Sequence, residues 1–232
     1  MTDHWTLTTE VAMAIRPLLL GHRGARTEKS IPENTLASFD LALAQGCDGF
    51  EFDVRLTRDG HAVVCHDATV HGLEIVESSA EKLALPQLEE ILTRYHGNAF
   101  LDIELKVTGL EAIATDLLRR FTPHRGFVIS SFLPEVLQAI HELDMTIPLG
   151  LICETEAELS CWRRLPVQYV IPHRKLVRKM LIDEIKAVGK KILVWTVNAT
   201  VDMKRVSKWG VDGIISDHPK RLVRALRRQE KS

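Results

Sequence analysis

Phe100-Leu-Asp-Ile-Glu-Leu-Lys106 alternates, with Asp102, Glu104 and Lys106 on one face and Ile103 and Leu105 on the other. A period of two is the mark of a strand. Leu110 to Phe121 follows at once, with Leu110, Ile113, Leu117, Leu118 and Phe121 at helical spacing. Val128 to Ser131 is then a second short strand. Two strands joined through a helix lie parallel, because a parallel neighbour needs a long crossover.

The same unit repeats toward the C-terminus. The strands at Leu149 to Cys153, Tyr169 to Pro172, Ile192 to Val197 and Gly213 to Ser216 alternate with helices. Those helices are predicted over Pro134 to Leu143, around Thr155 to Arg163, near Leu176 to Val188 and near Val201 to Trp209, with a basic helix closing the chain. Toward the N-terminus lie strands at 18–23, 49–57 and 61–66, and helices at Thr35 to Gln45 and Gln87 to Tyr95. Asn34 is the expected cap of the first of these helices. At 232 residues, this count favours a closed (β/α)₈ TIM barrel over an open doubly wound sheet. One strand is surplus to eight, and the surplus falls in the pair around Asp59-Gly60, where turn chemistry replaces a helix. Residues 17–232 read as a single barrel domain, with a short insertion at about 68–85 after the third strand and an N-terminal extension at 1–16.

Composition narrows the partners. The chain is 45% hydrophobic and 26% charged with a net charge of −1, which argues against an electrostatic nucleic-acid binder. No apolar run is long enough to span a bilayer. The run Val11 to Leu20 is broken by Arg16 and Pro17 and lacks a basic cluster before it, so it does not read as a signal peptide. Cys47, Cys65, Cys153 and Cys161 have no C-x-x-C spacing and read as reduced packing thiols, which points to a cytoplasmic protein. The cationic tail (Lys220, Arg221, Arg224, Arg227, Arg228, Lys231) reads as a solvated helix face.

In a (β/α)₈ barrel the chemistry collects where strands end. The first strand ends in His22-Arg23 and the third in His66-Asp67. The second, Gly49-Phe-Glu-Phe-Asp-Val-Arg-Leu56, puts Glu51 and Asp53 side by side on one face. Like charges so placed repel, so a cation is expected between them. Glu51, Asp53 and Glu104 are hard oxygen donors suited to one divalent ion, Mg²⁺ or Ca²⁺. Two histidines supply a base and an acid near neutral pH, while Arg23 and Lys106 supply positive charge for an anion. Together these parts point to phosphoester chemistry. Each has a plainer reading: salt bridges from the acids to Arg23, Arg55 and Lys106, structural histidines, and a core role for Trp195. Their convergence at one end of one barrel favours a site.

Nine segments then resemble, in order, the glycerophosphodiester phosphodiesterase family. They are His22-Arg23-Gly24, Pro32-Glu33-Asn34-Thr35, Glu51-Phe52-Asp53-Val54, Thr57-Arg58-Asp59-Gly60, Val63-Val64-Cys65-His66-Asp67, Ile103-Glu104-Leu105-Lys106, Ser130-Ser131-Phe132, Val194-Trp195-Thr196-Val197-Asn198 and Gly210 through Asp217. The resemblance implies a TIM barrel with Glu51, Asp53 and Glu104 as metal ligands and His22 and His66 as the acid–base pair. It also implies phosphate contacts from Arg23 and Lys106, and Trp195 bordering the substrate pocket. The implied reaction is hydrolysis of a small-molecule glycerophosphodiester to sn-glycerol 3-phosphate and an alcohol such as choline or ethanolamine. A lysophospholipase D and a catalytically silent phosphate-ligand barrel are the alternatives. The segment after His66-Asp67 departs from the family pattern, so the head group is the least determined feature.

Overall fold

The structure, a computed structural model, describes residues 16–227. In chain order the strands are β1 (Leu18–His22), β2 (Gly49–Leu56), β3 (Ala62–Val64), β4 (Thr69–Val70), β5 (Leu73–Glu74), β6 (Phe100–Leu105), β7 (Phe127–Ser131), β8 (Leu149–Cys153), β9 (Tyr169–Pro172), β10 (Lys191–Val194) and β11 (Gly213–Ser216). The helices are α1 (Leu36–Ala44), α2 (Ala80–Leu83), α3 (Leu88–Tyr95), α4 (Glu111–Arg120), α5 (Pro134–Leu143), α6 (Glu156–Ser160), α7 (Lys179–Ala187), α8 (Thr200–Trp209) and α9 (Pro219–Arg227).

Strands β1, β2, β6, β7, β8, β9, β10 and β11 pair in parallel in that order, and β11 returns to β1. The sheet is thus a closed barrel with helices outside it, the (β/α)₈ fold that the alternation predicts. Closure needs one very close approach. A Cβ on Gly49 would stand 1.8 Å from the carbonyl oxygen of Phe100, so only glycine fits there.

β3 is the surplus strand. It runs antiparallel to β2, pairing Val54 with Val64 and Leu56 with Ala62 across a turn at Thr57–His61. The pairing stops at Val64 rather than continuing to residue 66. Cys65 N–H still donates to the Asp53 carbonyl (3.0 Å), so the returning chain delivers His66 beside the acids of β2. The short β4–β5 pair and α2 follow, over Val63, Ile75, Ala80 and Leu83.

Two apolar layers hold the barrel. Outside it, Phe39 of α1 stacks on Phe50 at 4.2 Å, and Tyr95 of α3 meets Phe50 edge-on at 5.0 Å. Inside, Leu20, Phe100, Val128, Tyr169, Leu193 and Ile215 fill the barrel beneath its polar mouth. Fully burying such side chains contributes roughly 1.5–3 kcal/mol each. Among the described residues no helix is long and apolar enough to cross a membrane. Residues 1–15 of the expected N-terminal extension, and Arg228 and Lys231 of the basic tail, lie outside the described residues.

Candidate active site

β1 ends on His22 and the chain then reverses sharply. Arg23 has φ 52° and Gly24 φ 81°. A Cβ on Gly24 would come within 2.4 Å of Ser38 Oγ. An arginine in the left-handed region costs about 1–2 kcal/mol, and three contacts hold it there. Its N–H donates to Glu51 Oε2 (3.0 Å), and its carbonyl accepts from Ser38 Oγ (2.9 Å) and from the Asn34 N–H (3.1 Å). The turn aims the guanidinium across the mouth, with Nη1 on Glu33 Oε1 (2.7 Å) and Nε 3.2 Å from Asp53 Oδ2.

The register of β2 on β6 sets the acids. Glu51 lies beside Asp102 and Asp53 beside Glu104, all facing inward. Glu51, Asp53 and Glu104 each offer an oxygen within 4.8 Å of the others, and all three are buried. Glu51 Oε1 has no hydrogen-bond partner among the described residues. Asp53 Oδ1 and Glu104 Oε1 also lack a well-formed hydrogen bond; Lys106 Nζ stands 3.3 and 2.6 Å from them.

Burial, then repulsion from Asp53 and Glu104, pushes the Glu51 carboxyl well above its ordinary range. Burial likewise raises Glu104 to about 7, with Asp53 adding to the effect. Asp53 is buried too, yet Lys106 and Arg23 outweigh that and hold its carboxyl low. A cluster of buried, under-partnered oxygens fits a hard divalent cation, and no thiol or imidazole competes within it. Asp102, also inward and raised to about 7 by burial, turns away and accepts from Ser130 Oγ at 2.6 Å.

Each histidine is tied through Nδ1. His22 Nδ1 lies 2.6 Å from Asp217 Oδ1, and His66 Nδ1 lies 2.7 Å from Asp67 Oδ1. Burial works against an ionised Asp217, but the His22 hydrogen bond, Asn198 Nδ2 (2.6 Å) and Arg26 hold it well below the usual carboxylate range. The His66 hydrogen bond lowers Asp67 as well. An ionised carboxylate only accepts, so both histidines carry their proton on Nδ1 when neutral. Nε2 is then the free nitrogen of each, and His22 Nε2 stands 3.7 Å from Glu51 Oε2. Burial lowers the pKa of His22.

These groups line one cavity of about 260 Å³ at the barrel mouth, together with Phe132, Ile152, Glu154, Ile171, Trp195 and Ile215. His22, Arg23, Glu51, His66, Glu104, Lys106 and Trp195 all reach it, and Asp53 lies within the acid cluster. Asn34 departs from its expected role. Thr35 caps α1 through Ser38 N–H (3.3 Å), while Asn34, at φ 57°, gives its amide to Asp53 Oδ2 at 2.8 Å. Asparagine tolerates that backbone region well. Asp217 and Asn198 sit inside segments quoted for the resemblance, but no role was read for them. Their only local signal is a place just beyond a strand end.

A family model, that of the Glycerophosphoryl diester phosphodiesterase family, matches residues 22–116 and 74–221. The chain belongs to this family. It is accordingly an enzyme, a phosphoric diester hydrolase. It is 31% identical over 243 residues to the glycerophosphodiester phosphodiesterase of Caldanaerobacter subterraneus subsp. tengcongensis, covering 92% of this chain and 99% of the relative. With the glycerophosphodiester phosphodiesterase of Bacillus subtilis it shares 28% identity over 250 residues, 88% of this chain and 84% of that one. Among solved structures, an Oleispira antarctica phosphodiesterase in complex with the product sn-glycerol-3-phosphate superposes with a TM-score of 0.80 at 26% identity, covering 91% and 97% of the two chains. A glycerophosphodiester phosphodiesterase from Parabacteroides distasonis shares the fold, with a TM-score of 0.82 at 24% identity over 93% and 99%.

Proposed function

We propose that the protein hydrolyses glycerophosphodiesters to sn-glycerol 3-phosphate and an alcohol, with one divalent cation, Mg²⁺ or Ca²⁺, held by Glu51, Asp53 and Glu104. The observation that carries this reading is the convergence of three buried carboxylates, two aspartate-tied histidines and two cations on one cavity. The product held by the Oleispira relative supports the substrate class. When bound, a divalent cation supplies charge neutralisation and Lewis-acid polarisation of a phosphate oxygen.

The chain's own residues do the rest. Arg23 and Lys106 offset the phosphate charge in a site where water is largely excluded. Glu104 and Asp53 outweigh the burial of Lys106 and keep it protonated for that task. One histidine takes the proton of the attacking oxygen at Nε2, and the other gives its Nε2 proton to the departing alkoxide. Asn34 fixes Asp53, and Asp217 fixes His22. Four unpaired cysteines, two of them buried, support the cytoplasm as the compartment.

The test is release of sn-glycerol 3-phosphate from glycerophosphocholine. EDTA abolishes it, and His22→Ala and His66→Ala each lower kcat by about 10²–10⁴-fold. Full activity in either variant overturns the acid–base assignment, and full activity after exhaustive chelation overturns the cation.

A further inference from the structure

The cavity is polar on one side only. The side built by β1, β2 and β6 carries the acids, both histidines, Arg23 and Lys106. The side built by the ends of β7 to β11 is a wall of Phe132, Ile152, Ile171, Trp195 and Ile215. A single charged side chain among the described residues interrupts that wall: Glu154, the residue directly after β8. Its backbone N–H is pinned by Glu158 Oε2 at 2.7 Å, which fixes where the side chain starts. No cation among the described residues pairs with its carboxylate. The aromatic partners are fixed as well. Trp195 Nε1 donates to the Ile171 carbonyl (2.9 Å), so the indole offers π surface and no free donor, and its ring meets Phe132 edge-on at 5.7 Å.

A glycerophosphodiester has two unlike arms. The glycerol arm carries hydroxyls, which would lie unpaired against isoleucine and aromatic rings; the polar side offers them partners. The remaining arm is the alcohol to be released. Aromatic faces and an unpaired carboxylate beside apolar side chains suit an ammonium group with its methyl or methylene substituents. Resting on the reading above, we infer that Glu154, Trp195 and Phe132 form a head-group subsite that selects substrates whose released alcohol carries an ammonium group. The arrangement places this negative charge across the cavity from Arg23 and Lys106, matching the separated charges of such a substrate. Because Glu154 is solvent-exposed, the selection is modest, about 3- to 10-fold.

The experiment compares kcat/KM for glycerophosphocholine, glycerophosphoethanolamine and glycerophosphoglycerol, read as released sn-glycerol 3-phosphate, in the wild type and in Glu154→Gln. The wild type favours the two ammonium substrates by about 3- to 10-fold over the neutral one. Glu154→Gln brings the ratio close to one, and raising the salt concentration lowers the wild-type ratio in the same direction. A wild type without preference, or a variant that loses equally on all three substrates, overturns the subsite and assigns the wall to the glycerol arm. A wild type inactive on all three would instead overturn the phosphodiesterase reading itself.

Discussion

His22 and His66 reach one cavity from two kinds of structure. His22 closes a barrel strand, with its side chain 9% exposed and that of Asp217 14% exposed. His66 rides on the loop beyond an antiparallel hairpin, 35% exposed, and its Asp67 is 76% exposed. The two Nδ1 contacts are nearly equal in length, 2.6 and 2.7 Å. Their energies are not equal. A hydrogen bond shielded from water keeps its electrostatic strength, whereas a surface pair competes with solvent and salt. Similar geometry therefore gives one histidine a fixed orientation and the other an adjustable one.

The largest effect that separates the two sides comes from removing the aspartates. Asp217→Ala lowers kcat by about 10- to 100-fold, the usual range for a buried partner that orients a functional group. Asp67→Ala changes it by less than about 3-fold, as for an exposed ion pair. Steady-state rates for both variants on glycerophosphocholine decide the matter. Equal losses would remove the distinction between the two histidines.

The acid cluster belongs to the buried side, and protons report on it. Without a cation, Glu104 titrates near 7 and Glu51 is held well above the ordinary carboxylate value of 4.5. Between that value and about 7 the native state thus binds more protons than the unfolded chain, so metal-free stability falls as pH rises through this window. A divalent cation needs the ionised carboxylates, so its affinity runs the opposite way. It rises by up to about 10-fold per pH unit for each proton expelled. Asp67 and Asp217, both held low, release none. Calorimetric Ca²⁺ or Mg²⁺ titrations at pH 6 and pH 8, in buffers of different ionisation enthalpy, measure the proton count. Binding at pH 6 without proton release would contradict the burial-driven shifts.

The barrel was legible because its signal is local. Alternation in Phe100–Lys106 and helical spacing in Leu110–Phe121 mark β6 and α4 without any knowledge of their neighbours. The acids were legible for the same reason, since two carboxylates on one strand face need an explanation. Partners contributed by distant chain were not. Asp217 is separated from His22 by 195 positions, and nothing near it announces that it holds an imidazole. Asn34 looked like a helix cap because Asn caps helices; its contact with Asp53 exists only once α1 lies against β2. Element ends suffered likewise. The strand expected to reach Val197 ends at Val194, where the Trp195 indole turns back to the Ile171 carbonyl. The helix expected from Leu176 starts at Lys179, since the Leu176 and Val177 N–H groups are used in a turn on His173 and Arg174.

The smallest effect lies in the two glycines that precede the histidines' surroundings in space. Gly60, in the β2–β3 turn, has φ 79°, and an added Cβ would meet nothing within 4 Å. Gly60→Ala thus carries only the left-handed backbone penalty of about 1 kcal/mol, a fall in Tm of about 2–4 °C for a chain of this size. The pairing of Val54 with Val64, rather than the turn, delivers His66, so kcat stays within about 2-fold of wild type. Gly24, beside His22, has φ 81° and the same backbone penalty, but its added Cβ collides with Ser38 Oγ at 2.4 Å and with the α1 backbone behind it. Gly24→Ala must displace either α1 or the turn that sets His22 and Arg23, and it lowers both Tm and kcat further. Thermal melts and kcat for the two variants test whether rigidity is confined to the barrel side. An equal loss of activity in Gly60→Ala would show that the hairpin holds His66 as firmly as the barrel wall holds His22.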